Sequence, residues 1–396
     1  MKIKYLSFGD FVLYALVISI FCFDGDASLN KIMYLFFAMF LLVIGIRIVK
    51  GPIPAFFFKA LLPFVAFCLL SVVWSVNRDA SLSKSITVVI NYVIFSLLWV
   101  YIQENNKEEK LIKAIAIAGG IFALYIIFKY GGVNSFIHLM GAEDERSRIG
   151  SEVAHESLIG QSLALAGITD SNLIISEKKK HRKIIFSLIY LFDGIVILAS
   201  QSRTGLAILV MGTVLLVLFS ISRQGVKRWI PRLLIIAVVL VVVLINIDFS
   251  PVLGRWTTLV GREKDASTVI RYSLVSEGLS RFVESPLWGF GIDASSSISR
   301  YHSYFHNNYV ELLATTGIIG FTAFYSIYLY AMRGLTKRKS RHKLSDLSRA
   351  LLIAQLVIML ATVTYYIKYQ YLFLVLITSV AWKNRSVGEM ENTNEG

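Results

Sequence analysis

Apolar runs closed off by charged connectors repeat along the whole chain. A helix that crosses a bilayer needs about 17–25 mainly apolar residues, and a charge at its centre costs about 2.5–3.5 kcal/mol, so uncharged runs between charged connectors are predicted as spans. They fall at residues 11–23, 32–48, 55–74, 85–102, 111–128, 158–175, 184–199, 204–221, 233–247, 308–332, 350–366 and 369–382. The expected fold is therefore all-α, a polytopic integral membrane protein of about twelve transmembrane helices. The run at 158–175 is the most polar, carrying Gln161, Ser162, Asp170, Ser171 and Asn172, and only Ile367 and Lys368 separate the last two runs. The first run follows MKIK as a secretory leader would, but CFDGDAS after it offers no small-residue cleavage site, so it reads as the first membrane helix.

Charge sets the expected orientation. Lysine and arginine near span ends favour the cytoplasmic side. With Lys2 and Lys4 inside, Arg47 and Lys50, Lys107 and Lys110, the cluster from Lys178 to Lys183, Arg223 with Lys227 and Arg228, and the run TKRKSRHK all fall on that same side. Both termini are then cytoplasmic, with residues 383–396 a disordered inner tail. Two outer connectors are long, 129–157 and 248–307. Loops beyond about 12–15 residues are usually functional or disordered, and the second is rich in aromatics, among them Tyr272, Trp288, Tyr301, Tyr304 and Phe305. Its segment 267–282 is predicted as a helix, ended by Pro286 and the PLWGFG turn.

Composition removes other classes. At 56% hydrophobic residues and a mean hydropathy of +0.64, the chain is far more apolar than a soluble domain. Its net charge of +14 punctuates apolar runs instead of gathering on one face, so no nucleic-acid partner is expected. Cys22 and Cys68 lie inside apolar segments, and no disulfide is expected.

The outer side offers His138, His155, His302 and His306. His302 and His306 have the four-residue spacing of a zinc pair, but no Glu follows His302 and no third ligand is evident, so neither a metal nor any other cofactor is expected. Basic residues on the side that orientation disfavours are more informative. Arg148, Arg203, Arg255, Arg262, Lys264, Arg271, Arg281 and Arg300 are all assigned outside. Ion pairing with the loop's own acids accounts for many of them. Arg203 has no acid nearby and opens a span, where a planar guanidinium fork suits a lipid-borne phosphate.

His306-Asn307, nine residues, Gly317, two residues and Gly320 (HNNYVELLATTGIIG) form a pattern that resembles the shared signature of the O-antigen polymerase (Wzy-type) and ligase (WaaL-type) family. Ser202-Arg203 at the outer start of a span, and Arg271 leading a loop helix into PLWGFG, resemble two further elements of that family in the same order. The resemblance covers roughly residues 195–325. It implies residues 195–382 as the family-like region, including the loop 248–307, after N-terminal helices in residues 1–194, with that loop capping a lateral cavity. It also implies a metal-independent glycosyltransferase of the cytoplasmic (inner) membrane, acting outside it on an undecaprenyl-diphosphate-linked oligosaccharide and working beside a chain-length regulator and a flippase. Polymerisation of repeat units into O-antigen, capsule or exopolysaccharide is the first expectation. Ligation to lipid A–core is the alternative, and a polysaccharide transporter or flippase a remote one.

By residue, the resemblance assigns His306 as general base and Arg203 and Arg271 as diphosphate ligands, with Arg148 and Asn307 as further substrate contacts and Gly317 and Gly320 in helix packing. The chemistry is consistent with this. Cations can stabilise a departing diphosphate, and the positive end of a helix favours the neutral, proton-accepting imidazole.

Overall fold

The computed structural model describes residues 7–24, 29–48, 56–130, 132, 156–224, 266–336 and 342–394. Among them there is no strand. The helices are α1 (Phe8–Phe23), α2 (Asn30–Ile48), α3 (Phe56–Ser71), α4 (Arg78–Glu104), α5 (Glu108–Lys129), α6 (Glu156–Ser176), α7 (Lys180–Ala199), α8 (Arg203–Gln224), α9 (Ala266–Glu284), α10 (Ser295–Ile298), α11 (Asn308–Thr336), α12 (Ser345–Ile358) and α13 (Lys368–Asn394). By length and composition five of the described helices can cross a bilayer: α4, α5, most of α6, most of α8, and α11. Shorter apolar helices occupy Phe8–Phe23, Asn30–Leu42 and Lys59–Ser71. This is a multi-pass membrane protein. The run at 233–247 lies outside the described residues.

Two expectations from the sequence change. The run at 350–366 is helical only to Ile358, because the next segment is held in a turn: buried Asn308 accepts hydrogen bonds from the N–H groups of Thr364 (2.8 Å) and Tyr365 (3.0 Å). The segment after 382 is not a loose tail; α13 continues to Asn394. Its start is anchored where Lys383 pairs with Glu108 at 2.7 Å and Asn384 accepts from the His342 N–H at 2.8 Å.

The chain divides into two compact units, Met1–Ala114 with Ala266–Gly396, and Ile115–Asp265. In the first, α11 packs on α3, α9, α12 and α13, and α4 on α3 and α13. Its core is aromatic, with Phe64, Phe95, Trp99, Phe305, Tyr365 and Phe373 fully buried. Its polar connectors sort to two ends. At one, Asp24 pairs with Lys368, Asn77 donates to Ser297 (3.0 Å) and Asn307 to the Leu360 carbonyl (3.1 Å). At the other, Asp10 pairs with Lys107 and Lys110, and Glu109 with Lys343.

In the second unit α6 packs against both α7 and α8. Gly160 and Gly205 bring the α6 and α8 backbones into direct contact, and Gly212 sits against Ile168. Small residues that let backbones approach are how helices associate where lipid gives no hydrophobic drive. This close packing explains why the polar run at 158–175 is a buried helix.

Candidate functional site

The site grows from a break in α11. Gly317 has φ 61° and ψ −170°, which interrupts the helix and strands carbonyls before it and N–H groups after it. The turn after α9 takes up both sets. Phe290 and Gly291 donate to the carbonyls of Ala314 (3.3 Å) and Thr315 (2.9 Å), while Ile318 and Ile319 donate to the carbonyls of Pro286 (2.8 Å) and Leu287 (3.4 Å). A Cβ on Gly317 would strike the Leu287 backbone, and one on Gly289 the Thr315 backbone. Gly317 is thus the seat of the PLWGFG turn, where the sequence suggested a plain packing glycine. Gly320, one turn on, packs beside Phe67 of α3.

The same turn is fastened on its other side. Val76 donates to the Phe290 carbonyl (3.1 Å), Ile292 to the Ser71 hydroxyl (3.2 Å), and the Ser81 hydroxyl to the Ile292 carbonyl. Trp288 stacks on Phe67 with centroids 6.3 Å apart. Helix α9 is docked by Leu274, which joins Phe305, Val310 and Ala314 in one apolar cluster.

This frame carries His306. The residue has φ 53°, in a left-handed region that non-glycine residues seldom occupy. It is held there from both sides. Phe305 before it donates its N–H to buried Glu311 at 3.0 Å, and Glu311 takes a further hydrogen bond from Ser295. Asn307 after it caps α11, its Oδ1 accepting from Tyr309 (2.9 Å) and Val310 (3.1 Å). The imidazole lies against the Tyr304 ring, centroids 4.1 Å apart. Burial pushes the Tyr304 phenol up from its ordinary value, and the Arg271 guanidinium acting on it pulls the other way. The structure therefore brings Tyr304, His306 and Asn307 together, with the Arg271 charge reaching the Tyr304 phenol. Arg271 is exposed, while His306 and Asn307 are half-buried.

Beneath this group is a polar floor that sequence reasoning did not assemble. Lys84 of α4 lies 3.5 Å from Asp293 and 3.6 Å above the Tyr366 ring. Burial pushes the Asp293 carboxyl up, and Lys84 opposes the shift. The signal in the sequence was Lys84 itself, a basic residue at the edge of the apolar run 85–102. His302 is exposed in the turn after Ser299, to whose carbonyl its N–H donates at 3.1 Å.

Arg203 belongs to the second unit. Ser202 caps α8, its hydroxyl accepting from the Gly205 N–H at 3.1 Å, so Arg203 is the first helical residue and half-buried. Arg148, with the connector 129–157 apart from its ends, lies outside the described residues. Among the described residues no three His, Cys, Asp or Glu side chains converge as metal ligands.

The stretch that builds α8, α9, the PLWGFG turn and the broken α11 also has a family likeness. Residues 186–325 match the model of the O-antigen ligase family. The chain carries an O-antigen ligase domain. No curated protein matches the chain. The matched region contains Arg203, Arg271, His306, Gly317 and Gly320 and ends within α11, and the family it is similar to suggests glycosyltransferase-like chemistry. Lys84 and the α12–α13 turn, which complete the floor and brace Asn308, lie outside the matched residues.

Proposed function

We propose that this chain polymerises undecaprenyl-diphosphate-linked repeat units of a surface polysaccharide at the outer face of the cytoplasmic membrane, with both termini inside. The observation that supports it is the His306 turn: a histidine pinned in a left-handed conformation against Tyr304, whose phenol feels the Arg271 charge, inside the region matched to the O-antigen ligase family. In the reaction, an acceptor hydroxyl oxygen bonds to the anomeric carbon of the donor sugar. The bond from that carbon to the diphosphate oxygen breaks, and the diphosphate leaves with the electron pair. His306 receives the hydroxyl proton. Arg271 and Arg203 hold the diphosphate as planar forks and stabilise its charge, and no metal takes part. Arg148 and Asn307 add substrate contacts, Asn307 by setting the turn.

The domain's own description favours a second reading, ligation of the finished glycan to lipid A–core. One reconstituted assay tests both. With lipid-linked donor alone, polymer is expected, and adding lipid A–core leaves its yield unchanged; product only in the presence of lipid A–core means a ligase. His306→Ala is expected to lower turnover by about 10²–10⁴, and near-normal turnover at normal protein level defeats the mechanism. Arg203→Lys and Arg271→Lys retain charge yet stay strongly impaired if the fork matters. Impermeant labelling of intact cells should reach a cysteine at Ser296 and fail at Glu104; the reverse pattern inverts the topology.

A further inference from the structure

Along α9 runs a concavity of about 590 Å³, with Tyr272, Glu277, Arg281, Glu284, Arg300 and Tyr301 among its lining residues. At 3.6 residues per turn, Ser273, Ser276, Glu277 and Ser280 lie roughly 120–180° around the helix from Arg271. The groove is therefore on the flank of α9 away from the His306 turn. Its volume falls within the usual range for a small-molecule site, about 300–1,000 Å³.

Its wall is preorganised. Glu277 accepts from the Arg300 N–H (2.8 Å) and the Ser299 hydroxyl (3.2 Å), and Arg281 donates through Nε to the Ile298 carbonyl (3.0 Å). Its charges are matched within the groove: Arg281 pairs with both Glu284 oxygens at 3.0 and 3.1 Å, and Arg300 lies 4.0 Å from Glu277. Two cations neutralised by two carboxylates make a poor phosphate site. What remains is a lining of hydroxyls, carboxylates and guanidinium edges together with two large exposed rings, Tyr272 at 66% and Tyr301 at 49% exposure. Such rings suit the C–H side of a pyranose, and the polar groups beside them match vicinal hydroxyls.

We infer that this groove is a glycan-holding subsite that takes a stretch of uncharged, hydroxyl-rich oligosaccharide from the substrate of the His306 centre. The inference rests on the function proposed above. A chain held there is gripped away from the reacting bond, so the groove governs how long it stays and not how fast each bond forms.

The probe is the repeat-unit oligosaccharide freed of its lipid, added to the detergent-solubilised full chain and followed by saturation-transfer NMR. Wild type and His306→Ala are expected to bind it alike. Tyr272→Ala with Tyr301→Ala is expected to weaken binding about tenfold or more at unchanged melting temperature, whereas Tyr272→Phe with Tyr301→Phe retains it. In the reconstituted reaction the alanine pair should give shorter products at an unchanged rate of the first addition. Absence of binding to wild type, binding indifferent to the alanine pair, or competition by inorganic pyrophosphate overturns the inference and leaves the His306 result standing. If His306→Ala still turns over while binding depends on the two rings, the proposed chemistry falls and the groove remains.

Discussion

In the first unit Asn308 is fully buried, yet its amide accepts from Thr364 and Tyr365 and donates to the Tyr325 hydroxyl at 2.9 Å. In the second unit Asp170 and Asp193 are just as buried. Their carboxyls lie close together, and none of the four oxygens has a hydrogen-bond partner beyond the pair among the described residues. Gly119 of α5 presses against Asp193. Buried amides in the first unit stitch a helix start to a distant turn, so losing one strands its partners. Among the described residues the carboxyl pair ties nothing else down; it puts two like groups into an apolar interior, and removing one strands no donor there. Burial of a polar group is thus informative only together with what it holds.

Four experiments bear on that contrast. The largest loss is expected from Asn308→Ala, which abandons the Thr364 and Tyr365 N–H groups and should cost about 2–4 kcal/mol, read as a lower melting temperature and lost transfer. Gly317→Ala comes next: its backbone region is nearly closed to other residues, a strain of about 1–3 kcal/mol, and the added Cβ displaces the PLWGFG turn. Trp288 emission should report that displacement, because its stacking on Phe67 goes with the turn. Against these, Asp170→Asn and Asp193→Asn are each expected within about 0.5 kcal/mol of wild type, or to stabilise; a loss as large as that of Asn308→Ala would mean the pair holds a partner and would end the contrast. The smallest effect concerns His342, at the opposite end of the first unit. Burial holds its imidazole below the ordinary value, and its Nδ1 accepts the Leu344 N–H at 3.3 Å. A lowered folded value means the stabilisation is complete above the ordinary value of 6.5 and is lost as pH falls through the folded one. A slightly lower melting temperature at pH 5 than at pH 7.5 should therefore appear in wild type and vanish in His342→Gln.

Patterns local in sequence were legible. Five of the apolar runs correspond to described helices long enough to cross a bilayer, and the helix expected at 267–282 stops at Glu284, two residues before Pro286. Pairings between distant segments were not. Nothing near Gly317 says that its break will be filled by residues thirty positions earlier, and Lys84, Asp293 and Glu311 come from three separate segments. The apolar character of 350–358 hid the end of α12, because the cause of that end is Asn308. His306, Asn307, Gly317 and Gly320 were readable as one motif, but the restraint on His306 was not: it runs through the Phe305 backbone to a carboxylate that sits on the buried side of the following helix.

The break in α11 also sets a height. At 1.5 Å per residue, residues 318–336 span about 28 Å, close to the roughly 30 Å of a bilayer's hydrocarbon core, and residues 308–316 add about 13 Å more. If the lower segment fills the bilayer, the upper one stands as a pedestal in the headgroup layer, with His306 at its top. On the function proposed above, a base at that level would meet the sugar above a membrane-anchored diphosphate, while the prenyl chain stays in oil. The length of the pedestal, fixed by where glycine interrupts the helix, would then act as a ruler between the lipid anchor and the bond that is made.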